Sequence, residues 1–165
     1  MAKAERKNDM RKFELTNETK KVGEIILHRV KAVVDFGYVE AGDCGGWIEK
    51  EENLAQNGDA WVSGNAWVFG DAWVSRENHL LVVFPIGSRD DTITFTRDKN
   101  GCIYTKIGCF AGTLTEFRKK VKKTHGKNIH AKAYLLVAQL AELRIDTTPI
   151  QGDDEEIKVP VEELQ

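Results

Sequence analysis

The chain has 165 residues, enough for one domain or two small ones with a modest core. Charged residues make up 30% and the formal net charge is −2, so the average gives no sign of a nucleic-acid or membrane binder, and no apolar run approaches the roughly 18–20 residues of a membrane span. The polar N-terminus has no apolar signal-peptide core, and Cys44, Cys102 and Cys109 form no C-x-x-C pair, which points to a reducing cytoplasm without a disulfide framework.

Charge is distributed in blocks. Residues 1–12 carry Lys3, Arg6, Lys7, Arg11 and Lys12 against Glu5 and Asp9. Residues 118–132 hold Arg118, Lys119, Lys120, Lys122, Lys123, Lys127 and Lys132 without an acid. From 146 onward Asp146, Asp153, Asp154, Glu155, Glu156, Glu162 and Glu163 face Lys158 alone.

The segment 57–74 repeats on six: NGDAWV, SGNAWV, FGDAWV. With a strand period of two, Ala60, Val62, Ala66, Val68, Ala72 and Val74 turn inward and Trp61, Trp67 and Trp73 outward. The Gly-Asp/Asn steps suit bends, because Gly takes positive φ freely and Asx side chains bond back to the backbone. Three hexads make about one coil of a hexapeptide β-helix, with its tryptophans on three different sides. One coil cannot close its own core, so neighbouring segments or a partner must cover its two open ends. Ile25, Leu27, Val30, Val33 and Phe36 offer β pairing, and Gly42-Asp43 with Gly45-Gly46-Trp47-Ile48 forms an imperfect earlier coil that Leu54 continues.

The stretch "VVDFGYVEAGDCGGWIEKEENLAQNGDAWVSGNAWVFGDAWV" resembles the N-terminal part of the YdcK-like hexapeptide-repeat proteins over roughly 22–75, most specifically in its Gly-Gly-Trp step. The resemblance implies a β-helix and, by the label those proteins carry, a transferase.

Three strands follow at 79–84, 92–97 and 102–107, alternating apolar and polar residues and rich in β-branched and aromatic types. Asn100-Gly101 marks a hairpin. Thr113-x-x-Glu116 is a capping box opening a helix that ends at Gly126, with Leu114, Phe117 and Val121 on its core side. A second helix at about 128–144 is expected to bury Ala133, Leu136, Val137, Leu140 and Leu143. The string "IGSR…TFTR…GCFAGTLTEFRKKVKKTHGKN…Y" resembles a C-terminal domain recurring in phage and prophage proteins, over roughly 82–143. That resemblance implies a mobile-element setting and no mechanism.

The expected fold is therefore α+β: a short truncated hexapeptide β-helix-like stub, then a three-stranded antiparallel sheet with two helices. The expected divisions are a basic flexible N-terminus at 1–12, a β unit with the coil at 13–76, a β3α2 domain at 79–145 and an acidic flexible tail at 146–165.

Catalytic chemistry finds little support. His28 and His79 flank the repeat and are the general-base candidates for acyl transfer, though each reads as a strand residue. Cys102, Cys109, His125 and His130 are possible zinc ligands at no known spacing, and Cys109 suits small apolar packing. Gly87-Ser88-Arg89 reads as a phosphate-binding turn or as a plain hairpin with a solvated Arg. On a helix Arg118, Lys122 and His125 share one side and Lys119 and Lys123 its neighbour, forming a face for phosphate or an acidic protein, or one that solvates a helix C-terminus.

No catalytic residue, cofactor or metal is expected. The expected function is a non-enzymatic interaction protein of phage or prophage origin in the cytoplasm of a bacterial host. It would inhibit a host protein or nucleoprotein complex, including CRISPR-type and other anti-phage defence effectors. The expected contacts are Trp61, Trp67, Trp73, Arg89, Arg118, Lys119, Lys122, Lys123 and His125, with homodimerisation through the coil. The alternatives are a nucleic-acid-binding module using the same basic face and a hexapeptide-repeat acyltransferase.

Overall fold

The structure, a computed structural model, describes residues 11–150. Most of the basic N-terminus and of the acidic tail lie outside the described residues. Two four-stranded sheets and two helices make an α+β fold. The first sheet runs in the order β1 (Phe13–Val22), β2 (Ile25–Ala32), β3 (Cys44–Ile48), β4 (Trp67–Val68). The second runs β5 (Leu80–Ile86), β6 (Asp91–Arg97), β7 (Ile103–Ile107), β8 (Phe110–Thr113), all antiparallel. Helices α1 (Leu114–His125) and α2 (Ile129–Arg144) follow. Among the described residues no helix is long and apolar enough to cross a membrane.

The alternate set of the repeat turns inward. Ala60, Val62, Ala66, Val68, Ala72 and Val74 are all buried, and Leu54 and Ile48 join them. Stacking is parallel, with Trp47 opposite Trp67 and Leu54 opposite Val74, twenty residues apart in each case. Backbone bonds tie the turns together, from Trp47 N–H to Ala66 O, Glu49 N–H to Val68 O and Ala55 N–H to Val74 O. Asn53 fixes the corner: its buried amide donates to the carbonyls of Gly70 (3.2 Å) and Ala72 (2.8 Å) one turn above.

The Gly-Gly step is a matter of clearance. A Cβ on Gly45 would lie 2.4 Å from Val62 O and 2.6 Å from the Trp61 ring, and one on Gly46 2.7 Å from Ala66 O. Only glycine lets the earlier turn approach the later one so closely.

Both ends of the coil are capped from within the chain. Phe13 and Val30 of the β1–β2 hairpin enter the coil core at one end, and Leu80 and Val82 of β5 pack against it at the other. The second sheet thereby has two different faces. Ile93, Phe95, Ile103 and Ile107 face the helices with Leu114, Phe117 and Val121. Thr94 and Lys106, cross-strand partners, meet Trp67 of the coil instead.

The expected second sheet and both expected chain ends need correction. The second sheet has four strands, because Gly108 at φ +51° turns the chain tightly enough for Phe110–Thr113 to pair with β7. Lys12 is buried, not part of a flexible terminus: its ammonium donates to Ala60 O (2.7 Å) and Gly58 O (3.2 Å). Residues 146–150 are likewise attached, through Asp146 N–H to Asn78 O and Ile150 N–H to Lys99 O.

The helices follow their caps. Thr113 Oγ1 accepts from Glu116 N–H, Glu116 accepts from Thr113 N–H, and Asn128 caps α2 through Ala131 N–H. The buried side of α2 differs from expectation: Ala131, Tyr134, Ala138, Ala141 and Ile145 face the core, while Leu136, Leu140 and Leu143 are exposed. Small residues win that face because α2 lies close to the sheet, where Gly87 abuts the Tyr134 hydroxyl.

Close approach and conformational freedom are separable by mutation. Gly45→Ala is expected to destabilise by about 3 kcal/mol through overpacking. Gly64, at φ +58° with open space around it, should cost only about 1 kcal/mol as Ala. Urea unfolding midpoints of the two variants check the order.

Candidate functional site

Each repeat tryptophan is half-buried and has a partner within the chain. Trp61 packs edge-on against Phe36, ring centroids 5.3 Å apart. Trp67 lies between two ammonium groups, Lys106 at 4.7 Å and Lys20 at 5.7 Å from its ring, and Lys20 also covers Trp47 at 4.3 Å. Trp73 meets His79 and the Lys99 ammonium with its ring, and its backbone N–H donates to Arg97 O. Cation–π contacts and ring packing thus occupy much of the aromatic surface that the sequence offers to a twin subunit or target.

The basic helix keeps only part of its predicted face. Arg118 is paired with Glu142 of α2 at 2.5 Å, and the hydrogen bond from Arg118 holds the Glu142 carboxyl below its ordinary range. His125 packs against Tyr134 (5.4 Å) and His130 (6.0 Å between centroids). Lys119, Lys120, Lys122 and Lys123 remain exposed, and no ion pair reaches them among the described residues. Arg89 is exposed in the β5–β6 turn, where Gly87 meets Tyr134. Arg89 and His125 therefore belong to one end of the molecule, joined through Tyr134.

The predicted contacts do not form one surface. Trp67 packs against the Thr94–Lys106 side of the second sheet, and Phe117 of α1 against the Phe95 side. Trp67 and the lysine row consequently lie on opposite sides of that sheet.

The acyl-transfer candidates occupy closed positions. His28 is half-buried, 3.4 Å from Thr16 O. His79 is buried, and its Nδ1 accepts from Ser75 N–H at 3.3 Å, which places the ring proton on Nε2. Desolvation, then the charges of Arg97 and Arg76, lower its pKa to about 4. Among the described residues no three His, Cys, Asp or Glu side chains gather as metal ligands. Cys109 is exposed, not packed as an apolar group.

Sequence reasoning missed the charged groups that hold the layers together. Arg97 is fully buried and donates to the carbonyls of Asp98, Asp146 and Thr148, joining β6 to the segment after α2. Its alternation with Phe95 was the available signal, since a strand position on the core side must be apolar or fully hydrogen-bonded.

No family model matches the chain. A stretch of 63 residues is 40% identical to a protein of Escherichia coli (strain K12) described as "Uncharacterized acetyltransferase YdcK". The match covers 32% of this chain and 19% of that protein, so the chain spans about a fifth of the relative's length. The chain carries a YdcK-like segment.

The enclosure of His79 makes stability pH-dependent. Its folded pKa lies below the ordinary 6.5, so the unfolded chain takes the proton first as pH falls. Stability present above pH 6.5 is then lost as pH falls to about 4, by on the order of 2–3 kcal/mol. His79→Asn, which keeps an acceptor for Ser75 N–H, should flatten the thermal-unfolding profile over that window.

Proposed function

We propose that the chain is a non-enzymatic interaction protein that binds and inhibits a host protein or nucleoprotein complex in the bacterial cytoplasm, with CRISPR-type and other anti-phage defence effectors as the class of target. The resemblance of 82–143 to phage and prophage proteins supplies the setting. The observation that carries a binding role is the row Lys119, Lys120, Lys122 and Lys123, exposed and without ion pairs among the described residues. Four ammonium groups on one outer helix, with Arg89 and His125 at its end, suit an acidic protein surface or a phosphate backbone.

The YdcK-like segment serves here as a short hexapeptide β-helix used as a platform. Its interior is filled and its ends are capped by the chain's own strands. The relative is named an acetyltransferase, and acyl transfer needs a base within reach of a substrate. The burial of His79 and the strand setting of His28 favour binding over turnover. No cofactor enters this reading.

A tagged full chain should retain a specific host protein from a bacterial lysate after nuclease treatment. Lys119→Glu/Lys122→Glu/Lys123→Glu should weaken that retention by about tenfold or more, since reversal of three charges at the contact changes both encounter and fit. Partners that vanish with nuclease, or binding to nucleic acid that falls steeply with salt, would put the nucleic-acid module in its place. Acyl-donor turnover lost in His79→Asn would replace both with the enzyme.

A further inference from the structure

The outer side of α2 is apolar and uncovered. Ile129 is 71% exposed, Leu136 65%, Leu140 41% and Leu143 77%, although they sit on a helix whose other side is fully packed. These positions step by seven, four and three residues, the spacing of a coiled-coil seam. The core side takes Ala131, Tyr134, Ala138, Ala141 and Ile145, so both faces of one helix are apolar.

We propose that a second copy of this chain covers the seam, α2 pairing with α2 antiparallel about a two-fold axis. A heptad stripe is self-complementary, since knobs of one helix fill holes of an identical one. The exposed stripe amounts to about 450 Å² of apolar surface per protomer, at the scale where contiguous patches mark interaction sites. Two such stripes with their flanking side chains reach the roughly 1,000 Å² that a specific interface needs. Antiparallel pairing opposes the two helix dipoles. This seam is separate from the lysine row of α1 and does not depend on the proposed function.

Sedimentation of the full chain tests the proposal. A concentration-dependent dimer is expected, with its dissociation constant raised at least about a hundredfold by Leu136→Glu or Leu143→Glu, because each places a charge in the seam. Both side chains are largely exposed in the protomer, so circular dichroism and the unfolding midpoint of the dilute variants should match the unaltered chain. A chain that stays monomeric at all concentrations, or a dimer indifferent to both leucine variants, would overturn the pairing. A monomer whose Leu136→Glu form loses a host protein would give the seam to that protein and refute the second copy.

Discussion

A coil of two turns has no core of its own unless something closes both ends, and that constraint organises the whole chain. Parallel stacking satisfies the backbone between turns but leaves Ile48, Val62 and their neighbours open above and below. The β1–β2 hairpin supplies Phe13 and Val30 at one end, and β5 supplies Leu80 and Val82 at the other. The repeat can stop after three hexads because the next segment of chain changes period and becomes the lid. Lys12 shows how tightly the first cap fits: burial lowers its pKa to about 8, partly offset by Asp59, and its ammonium is held by two coil carbonyls.

Capping with a sheet has a consequence for every residue in that sheet. Each strand must present one face to the coil and another to the helices, so alternation carries two meanings instead of apolar-in and polar-out. Thr94 and Lys106 suit the coil side, where an indole and backbone groups await them. Ile93, Phe95, Ile103 and Ile107 suit the helix side. Arg97 stands at the margin, where carbonyls from the segment after α2 satisfy its guanidinium and lock that segment down.

This division explains what could be read in the sequence and what could not. The six-residue period exposed the inward set from Leu54 to Val74, and the Thr113–Glu116 box and Asn128 marked the helix starts, because each signal is local. The fourth strand was hidden by Gly108 and Gly112, which lower strand propensity while enabling the hairpin and the close contact with Glu116. The buried side of α2 was misjudged for a different reason. Leucine normally outcompetes alanine for burial, but a helix lying close to a sheet selects small residues, and sequence spacing fits either side equally well. Of the predicted contacts, Lys119, Lys122, Lys123 and Arg89 stayed exposed, whereas Arg118, His125 and the three tryptophans acquired partners that only the tertiary fold brings near.

The layering also bears on where this chain can act. Its coil interior is filled, and its indoles are engaged by Phe36, Lys20, Lys106 and His79. On the helical layer, lysines along α1 and leucines along α2 remain exposed. These two surfaces differ in chemistry and so select different occupants. An apolar heptad seam discriminates by shape and spacing and suits a permanent partner, while an ammonium row acts at longer range and responds to salt. Arg118 and Glu142 pair between the two helices, where the two surfaces adjoin. A protein built this way presents charge to one partner without uncovering its apolar face to it, provided the seam is already filled.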